Sequence, residues 1–243
     1  LFVSSFVARV GGQSWSLDGA SVVLAGIEAD REMGIHLPRL DMADLFKTMR
    51  ILGQETGLIG ASTRQQLEQL DPTGELSEIQ LKMNLSSGLS SLKLSAALSD
   101  VQIKAYEVIP GISSLSGYVS TTLTDGYLDV HNEQPFSLNF AAMFPEAWRF
   151  DSAHARFNYH SQDVGTERRL LQISSDLVRV TDGNLSASGR VHLNLPSLRE
   201  NQTWGVEVGL NAGELGDVGR YLPSVLPQQV QDWINRALVS GRA

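Results

Sequence analysis

The residues that could do chemistry in this chain are few and far apart. His154 and His160 fall on the same side of an alternating stretch, and two imidazoles can share a metal ion. Six residues of strand at about 3.3 Å each separate them by roughly 20 Å, whereas a zinc ligand must come within about 2.1 Å of its ion. They read as histidines of a solvated face. Asp41 and Asp44 stand at i, i+3, a spacing open to a carboxylate pair. It equally suits a helix start, where the macrodipole favours negative charge, and that reading is preferred. Asn84, Asn184 and Asn201 begin Asn-x-Ser/Thr triplets, which are short enough to arise by chance. The chain contains no Gly-x-Ser-x-Gly elbow, phosphate-binding glycine loop, Gly-x-Gly-x-x-Gly or His-Glu-x-x-His. It also lacks cysteine, which rules out disulfides, thiolate nucleophiles and thiolate metal sites. The expectation is a protein that is not an enzyme, with no catalytic residues, no metal and no cofactor.

The elements that carry these residues are mostly strands. Leu185, Ala187, Gly189, Val191, Leu193 and Leu195 fall on one face of an alternating run, with Ser186, Ser188, Arg190, His192 and Asn194 on the other. Successive strand side chains point to opposite sides, so this strand has one dry and one wet face. The pattern recurs in Ile79, Leu81, Met83 and Leu85 against Glu78, Gln80, Lys82 and Asn84. It recurs in Leu92, Leu94, Ala96 and Leu98, in Phe136, Leu138 and Phe140, and in Ala153, Ala155, Phe157 and Tyr159. Trp204, Val206, Val208 and Leu210 continue it. Asp18-Gly19, Asp125-Gly126 and Asp182-Gly183 are hairpin signals between such runs. Roughly a dozen strands in sequential hairpins are expected. The first forty residues are less regular, because Val22, Val23, Leu24 and Ile27 put apolar groups on both faces.

Two helical regions interrupt the strands. One covers about 41–70, where Leu45, Phe46, Met49 and Leu52 form a stripe. Gly53, Gly57 and Gly60 break it, and a second helix starts near a capping box at Ser62 to Gln65. The other covers about 227–239, where Val230, Trp233, Ile234, Ala237 and Leu238 recur at helical spacing. That amphipathic helix is expected to pack on one end of a sheet.

Composition narrows the partners. The 243 residues include 27 acidic and 19 basic side chains, a formal net charge of -8. A nucleic-acid partner would need a basic footprint, so none is expected. The same balance disfavours electrostatic adhesion to an anionic membrane surface. No apolar run approaches the eighteen or so residues of a membrane span. The chain starts at Leu1 inside a strand-like segment and stops at Ala243 just beyond a helix. It therefore reads as a single piece, 1–243, of a longer protein, with any membrane anchor outside it.

One-sided strands need something to cover their dry faces. A sandwich or barrel folds them onto each other. A long, curved, open sheet leaves a groove for something else to fill. A dozen strands at about 4.8 Å would extend some 55 Å. Local pattern leaves both arrangements open and, taken alone, favours the sandwich.

A resemblance separates them. Tyr221-Leu222-Pro223 followed by Trp233-Ile234-Asn235-Arg236-Ala237-Leu238-Val239-Ser240-Gly241-Arg242 resembles the YhdP-type members of the AsmA-like family. Ile109-Pro110-Gly111-Ile112-Ser113-Ser114-Leu115-Ser116-Gly117 and Leu70-Asp71-Pro72-Thr73-Gly74-Glu75-Leu76 are similar to other recurring stretches of those proteins. The resemblance covers roughly residues 70–243. It implies a mainly β fold, an elongated curved antiparallel sheet forming an open apolar groove, with a few short helices. It implies a large periplasmic protein anchored in the inner membrane that moves phospholipid toward the outer membrane of Gram-negative cells. The implied partners are phospholipid, the membrane through a segment outside this chain, and unspecified membrane proteins. The expected groove lining is Ile79, Leu81, Met83, Leu92, Leu94, Leu98, Phe136, Leu138, Phe140, Phe157, Leu185, Val191, Leu193, Leu195, Trp204, Val206, Val208 and Leu210. A periplasmic tether or envelope scaffold with no lipid cargo is the rival reading. A carbohydrate-binding domain fits less well, because Trp204, Phe136, Phe140 and Phe157 sit on apolar faces.

Overall fold

Alternating sequences joined by short turns pair each strand with the next, and this chain does so almost from end to end. The computed structural model describes residues 5–10, 13–27, 30–47, 61–106, 109–141, 144, 146–163, 169–183, 185–196, 203–212 and 227–237. Met49, Leu52, the glycines at 53, 57 and 60, the side chains of 61–64, residues 221–223 and residues from 238 onward lie outside them. A small hairpin, β1 (Ser5–Val10) with β2 (Gln13–Asp18), forms its own two-stranded sheet. The main sheet holds thirteen strands, and every pairing in it is antiparallel. They are β3 (Ser21–Ala25), β4 (Glu32–Asp41), β5 (Thr73–Asn84), β6 (Lys93–Ile103), β7 (Gly111–Thr121) and β8 (Asp125–Asn132). Then come β9 (Phe136–Asn139), β10 (Trp148–Phe150), β11 (Ser152–Asp163), β12 (Arg169–Ser175), β13 (Val178–Asp182), β14 (Leu185–Pro196) and β15 (Thr203–Ala212).

Three pairs of these strands lie end to end. β8 and β9 both pair with β7, β10 continues into β11, and β12 and β13 both lie between β11 and β14. Thirteen strands with three such pairs leave ten ranks, each beside the next in sequence. The ladder is an uninterrupted meander of about 43 Å, nine spacings of about 4.8 Å. That is shorter than the 55 Å expected, because an interrupted strand looks like two in sequence but fills one rank. Among the described residues β3 and β15 do not pair with each other, so the sheet is open.

The turns differ from the sequence reading in detail. Asp182–Gly183 does connect β13 to β14, with Gly183 at φ 56°. Asp125–Gly126 instead begins β8, and the turn is Thr122 to Thr124, closed by the Thr122 amide donating to the Asp125 carbonyl at 2.7 Å. Hydroxyl bonds from the Thr122 side chain hold that turn without a left-handed glycine.

A row of irregularities crosses the middle of the sheet. β5, β6 and β7 carry Glu78, Asp100 and Ser114 at positive φ, each beside a register shift or its neighbour. Such bulges bend a strand and increase its twist. Each also shifts the alternation by one, from Ile79 back to Leu76 and from Leu98 on to Val101, so that leucines and valines stay on one side. Gly74, at φ 117°, lets β5 lie against the β6 bulge, where a Cβ would meet the Asp100 carbonyl oxygen at 2.8 Å. Asn132, 1% exposed, secures the β7 bulge. Its Oδ1 accepts from the Ser116 amide at 2.6 Å, and its Nδ2 donates to the Ser114 carbonyl at 2.7 Å.

Asp41 caps the helical segment 42–47, its Oδ1 accepting from the amides of Ala43 and Asp44. Met42 and Leu45 pack over Leu76, Ile79 and Ala96. Helix α1 spans Ala61–Leu70 and α2 spans Gln228–Ala237. The expectation that the last helix packs its apolar stripe on the sheet is corrected: Val230 is exposed and Trp233 is 65% exposed. Periodicity gives a helix an apolar side but does not supply what covers it. The Ile234 and Ala237 side chains lie outside the described residues.

Two outcomes follow for unfolding in urea. Asn132→Ala leaves the part-buried Ser116 amide and Ser114 carbonyl without their partner, so stability falls by about 1–3 kcal/mol. Trp233→Ala in this 243-residue chain shifts stability by less than about 0.5 kcal/mol, the usual range for an exposed side chain.

Candidate functional site

Directly opposed residues in a sheet share a face, so the register shows which side chains form one surface. Trp204, Val206, Val208 and Leu210 lie opposite Leu193, Val191, Gly189 and Ala187. Leu195 and Leu193 lie opposite Leu171 and Ile173, and Ile173 opposite Tyr159. Phe157 lies opposite Leu128, and Leu128 opposite Val119. Val119, Gly117 and Thr121 lie opposite Ala96, Leu98 and Leu94. Leu94 lies opposite Leu81, and Met83, Leu81 and Ile79 lie opposite Met33, Ile35 and Leu37. Ile35 and Met33 then lie opposite Val22 and Leu24. One apolar face thus runs from the last rank to the first, with few polar interruptions.

The lower end of this face, where Asp41, Ile103, Gly111 and Trp148 sit, is filled by the protein itself. Val101, Leu115, Val130, Phe136, Phe150 and Ala153 form a buried cluster. Phe140, Phe144, Trp148 and Phe150 stack above it, with the Phe144–Trp148 ring centroids 4.4 Å apart in edge geometry. An open notch at this rim, about 560 Å³, is lined by Glu146, Ala147, Trp148, Arg149 and Asp182. Three of its five lining residues, Glu146, Arg149 and Asp182, are charged.

The expected lining residues divide by position. Ile79, Phe136 and Leu185 are buried in the protein's own packing. Leu81, Met83, Leu92, Leu94, Leu98, Leu138, Phe140, Phe157, Val191, Leu193 and Leu195 are half-buried. Val206 and Val208 are exposed, Val208 to 73%. Leu92 and Phe140 flank strands rather than lie in them, and the Trp204 and Leu210 side chains are outside the described residues. Tyr159 brings a polar group to the upper end, its hydroxyl bonded to the Thr121 hydroxyl and the Thr122 carbonyl.

The opposite face is polar and wet. Glu78, Gln80, Lys82, Arg190 and His192 are exposed there. Arg156 faces Asp129 and Arg190 faces Glu207 across strands as ion pairs, and His160 Nδ1 meets the Asp125 carboxylate at 2.5 Å. Arg156 makes two bonds to Asp129 and covers the Tyr127 ring at 4.4 Å. Those bonds hold the Asp129 carboxyl below its ordinary pKa. Asp125 is lowered too, first by the Thr124 hydroxyl and then by His160. His154 and His160 have different partners, as their separation requires. His154 meets His131 and Glu133, a grouping the sequence reading missed. Its register depends on β11 pairing back to β8 across the intervening β9 and β10, which no short turn announces.

The family model for YhdP protein matches residues 6–243. The chain belongs to the YhdP family. The match includes the first sixty-odd residues, which sequence character alone left outside the resemblance. No match is found among the curated proteins or the solved structures. Membership in the YhdP family fits AsmA-like lipid transport and a place in the cell envelope. No helix among the described residues is long and apolar enough to cross a membrane.

The Arg156–Asp129 pair gives an acid-side signature. Because the Asp129 pKa is depressed in the folded protein, its contribution is present above the unfolded value near about 4 and is lost as pH falls through the folded value. Arg156→Ala should flatten the loss of stability on acidification below about pH 4 and leave the trend between about pH 5 and 7 unchanged. Urea midpoints across that range check it.

Proposed function

We propose that this chain is a segment of a periplasmic bridge that carries phospholipid between the inner and outer membranes, with acyl chains held against its apolar face. The observation that carries the reading is the continuity of that face across all ten ranks of an open meander. A sheet that met its own needs by closing would not leave such a strip with Leu24 and Val208 open at its two ends. The row of bulges in β5, β6 and β7 curves the strands, which suits a trough. Belonging to the YhdP family supports the same reading.

The physical logic needs no catalysis. A sixteen-carbon chain at about 0.8 kcal/mol per methylene costs on the order of 12 kcal/mol in water. A continuous apolar trough removes most of that cost at every step. Lipid then slides without forming or breaking a bond, so the protein acts as a conduit and not as an enzyme. The polar face, laced with exposed ion pairs, keeps the other side in water. Attachment to the inner membrane belongs to a segment outside this chain. The rival reading, a tether with no cargo, draws on the lower end, where Phe136, Phe140, Phe144, Trp148 and Phe150 fill the face with the protein's own side chains.

A charge set into the trough separates the two. Val208 is exposed and Leu193 half-buried, so Val208→Lys and Leu193→Asp can leave the fold intact while placing an unpaired charge in the path. Each should weaken binding of a fluorescent phospholipid to the purified chain by at least about tenfold and impair outer-membrane integrity when built into the full-length protein. His192→Asp on the polar face should do neither. Folded variants, checked by circular dichroism, that bind and function like wild type would favour the tether.

A further inference from the structure

The polar face holds one cluster that the lipid reading does not use. His131 and His154 are directly opposed across β8 and β11, and the carboxylate of Glu133, just past the end of β8, reaches both imidazoles. The imidazole rings meet edge to face, with centroids 4.5 Å apart. Glu133 Oε1 lies 3.2 Å from His154 Nε2 and 3.5 Å from His131 Nε2. One ligand atom from each of the three residues lies within 4.8 Å of the other two. In a tetrahedral zinc site with ligands at about 2.05 Å, neighbouring ligand atoms are about 3.4 Å apart. The two imidazole–carboxylate distances already match that spacing, and the two imidazoles' ligand atoms lie within 4.8 Å of each other. We propose that His131, Glu133 and His154 form a binding site for a divalent transition cation of the zinc class.

The donor set points to the ion. Two imidazoles and one carboxylate suit zinc, copper and nickel, whereas calcium and magnesium require all-oxygen shells. Three protein ligands leave a fourth position for water, the arrangement of an open zinc site. All three side chains are accessible, so the ion can enter from solvent. The ligands stand on two paired strands, so much of their placement is fixed before the ion arrives. Arg179 lies opposite His154 on its other side, an exposed cation whose repulsion is weakened by solvent. A bound ion would clamp the sixth rank to the seventh next to the break between β8 and β9. It would do so on the face away from the trough, so the metal site and the lipid reading stand or fall separately.

Zn²⁺ titrated calorimetrically into the 243-residue chain, stripped with chelator and carrying no histidine tag, tests the site. The expected result is saturable one-to-one uptake. With Zn²⁺ at about a hundred times the dissociation constant, the melting temperature rises by roughly 5–10 °C. His131→Ala and His154→Ala should each weaken uptake at least as much as the roughly 10–100-fold that losing a supporting group costs at a metal site. His160→Ala should leave it unchanged, and Arg179→Ala should strengthen it. Co²⁺ in place of Zn²⁺ should give visible absorption bands of a tetrahedral site that vanish in the His154→Ala variant. These side chains are accessible, so the variants remain folded, which circular dichroism verifies. No saturable uptake below about 1 mM Zn²⁺, or equal uptake by wild type and both histidine variants, overturns the proposal.

Discussion

A pleated strand has only two faces, and one residue of slip exchanges them. Everything this chain achieves depends on keeping that parity through ten consecutive ranks. Direct pairing carries one apolar face from Trp204 to Leu24 without a crossover. Where the apolar spacing slips by one residue, parity would be lost, and the bulges at Glu78, Asp100 and Ser114 restore it. A small polar network holds two of them. The Asp100 amide donates to the Ser116 hydroxyl, the Ser116 amide to Asn132, and Asn132 to the Ser114 carbonyl. A buried asparagine on an apolar face is costly unless its bonds are made, and here they are. The break at 176–177 has the same effect in the eighth rank, moving the apolar series from Leu171 and Ile173 to Val178 and Val180.

Parity then divides the labour between two surfaces. One side concentrates methyl and aromatic groups. The other concentrates hydroxyls and alternating charges, which contribute little stability individually because they are exposed. The apolar side is not uniform along the strands. Its lower end is filled by Met42, Leu45 and a stack of aromatic rings, and its open ends lie at the first and last ranks. Among the described residues this face is filled at its lower end, half-buried along its middle and exposed at its first and last ranks. Phe136 is buried in that filled end, whereas Val206 and Val208 are exposed on the edge strand of the last rank.

Much of this was legible in the sequence because period-two alternation reports on faces directly. The run from Leu185 to Leu195 needed no structure to place its leucines on one side. Three things were not legible, each for a physical reason. Strands interrupted by a break, such as β12 and β13, look like two ranks and occupy one, so the sheet is shorter than the strand count suggests. Amphipathicity in α2 shows that a helix has an apolar side, yet Trp233 is exposed, because nothing in a helical pattern specifies a covering surface. The His131–Glu133–His154 grouping requires long-range register. His154 is close to His160 in sequence, and the cluster emerges only when β11 is set against β8. Asp41 was the opposite case, since a carboxylate at a helix start is a local feature, and it caps the segment 42–47 as its position suggested.

The most direct measurement is a lipid photo-crosslinking scan along a single strand. A photoreactive residue placed in turn at each position from 187 to 194 of β14, in the full-length protein in cells, samples both faces within one rank. Phospholipid adducts should alternate, strong at 187, 189, 191 and 193 and weak at 188, 190, 192 and 194. Adducts on the even positions, or no alternation among folded variants, would contradict the lipid conduit.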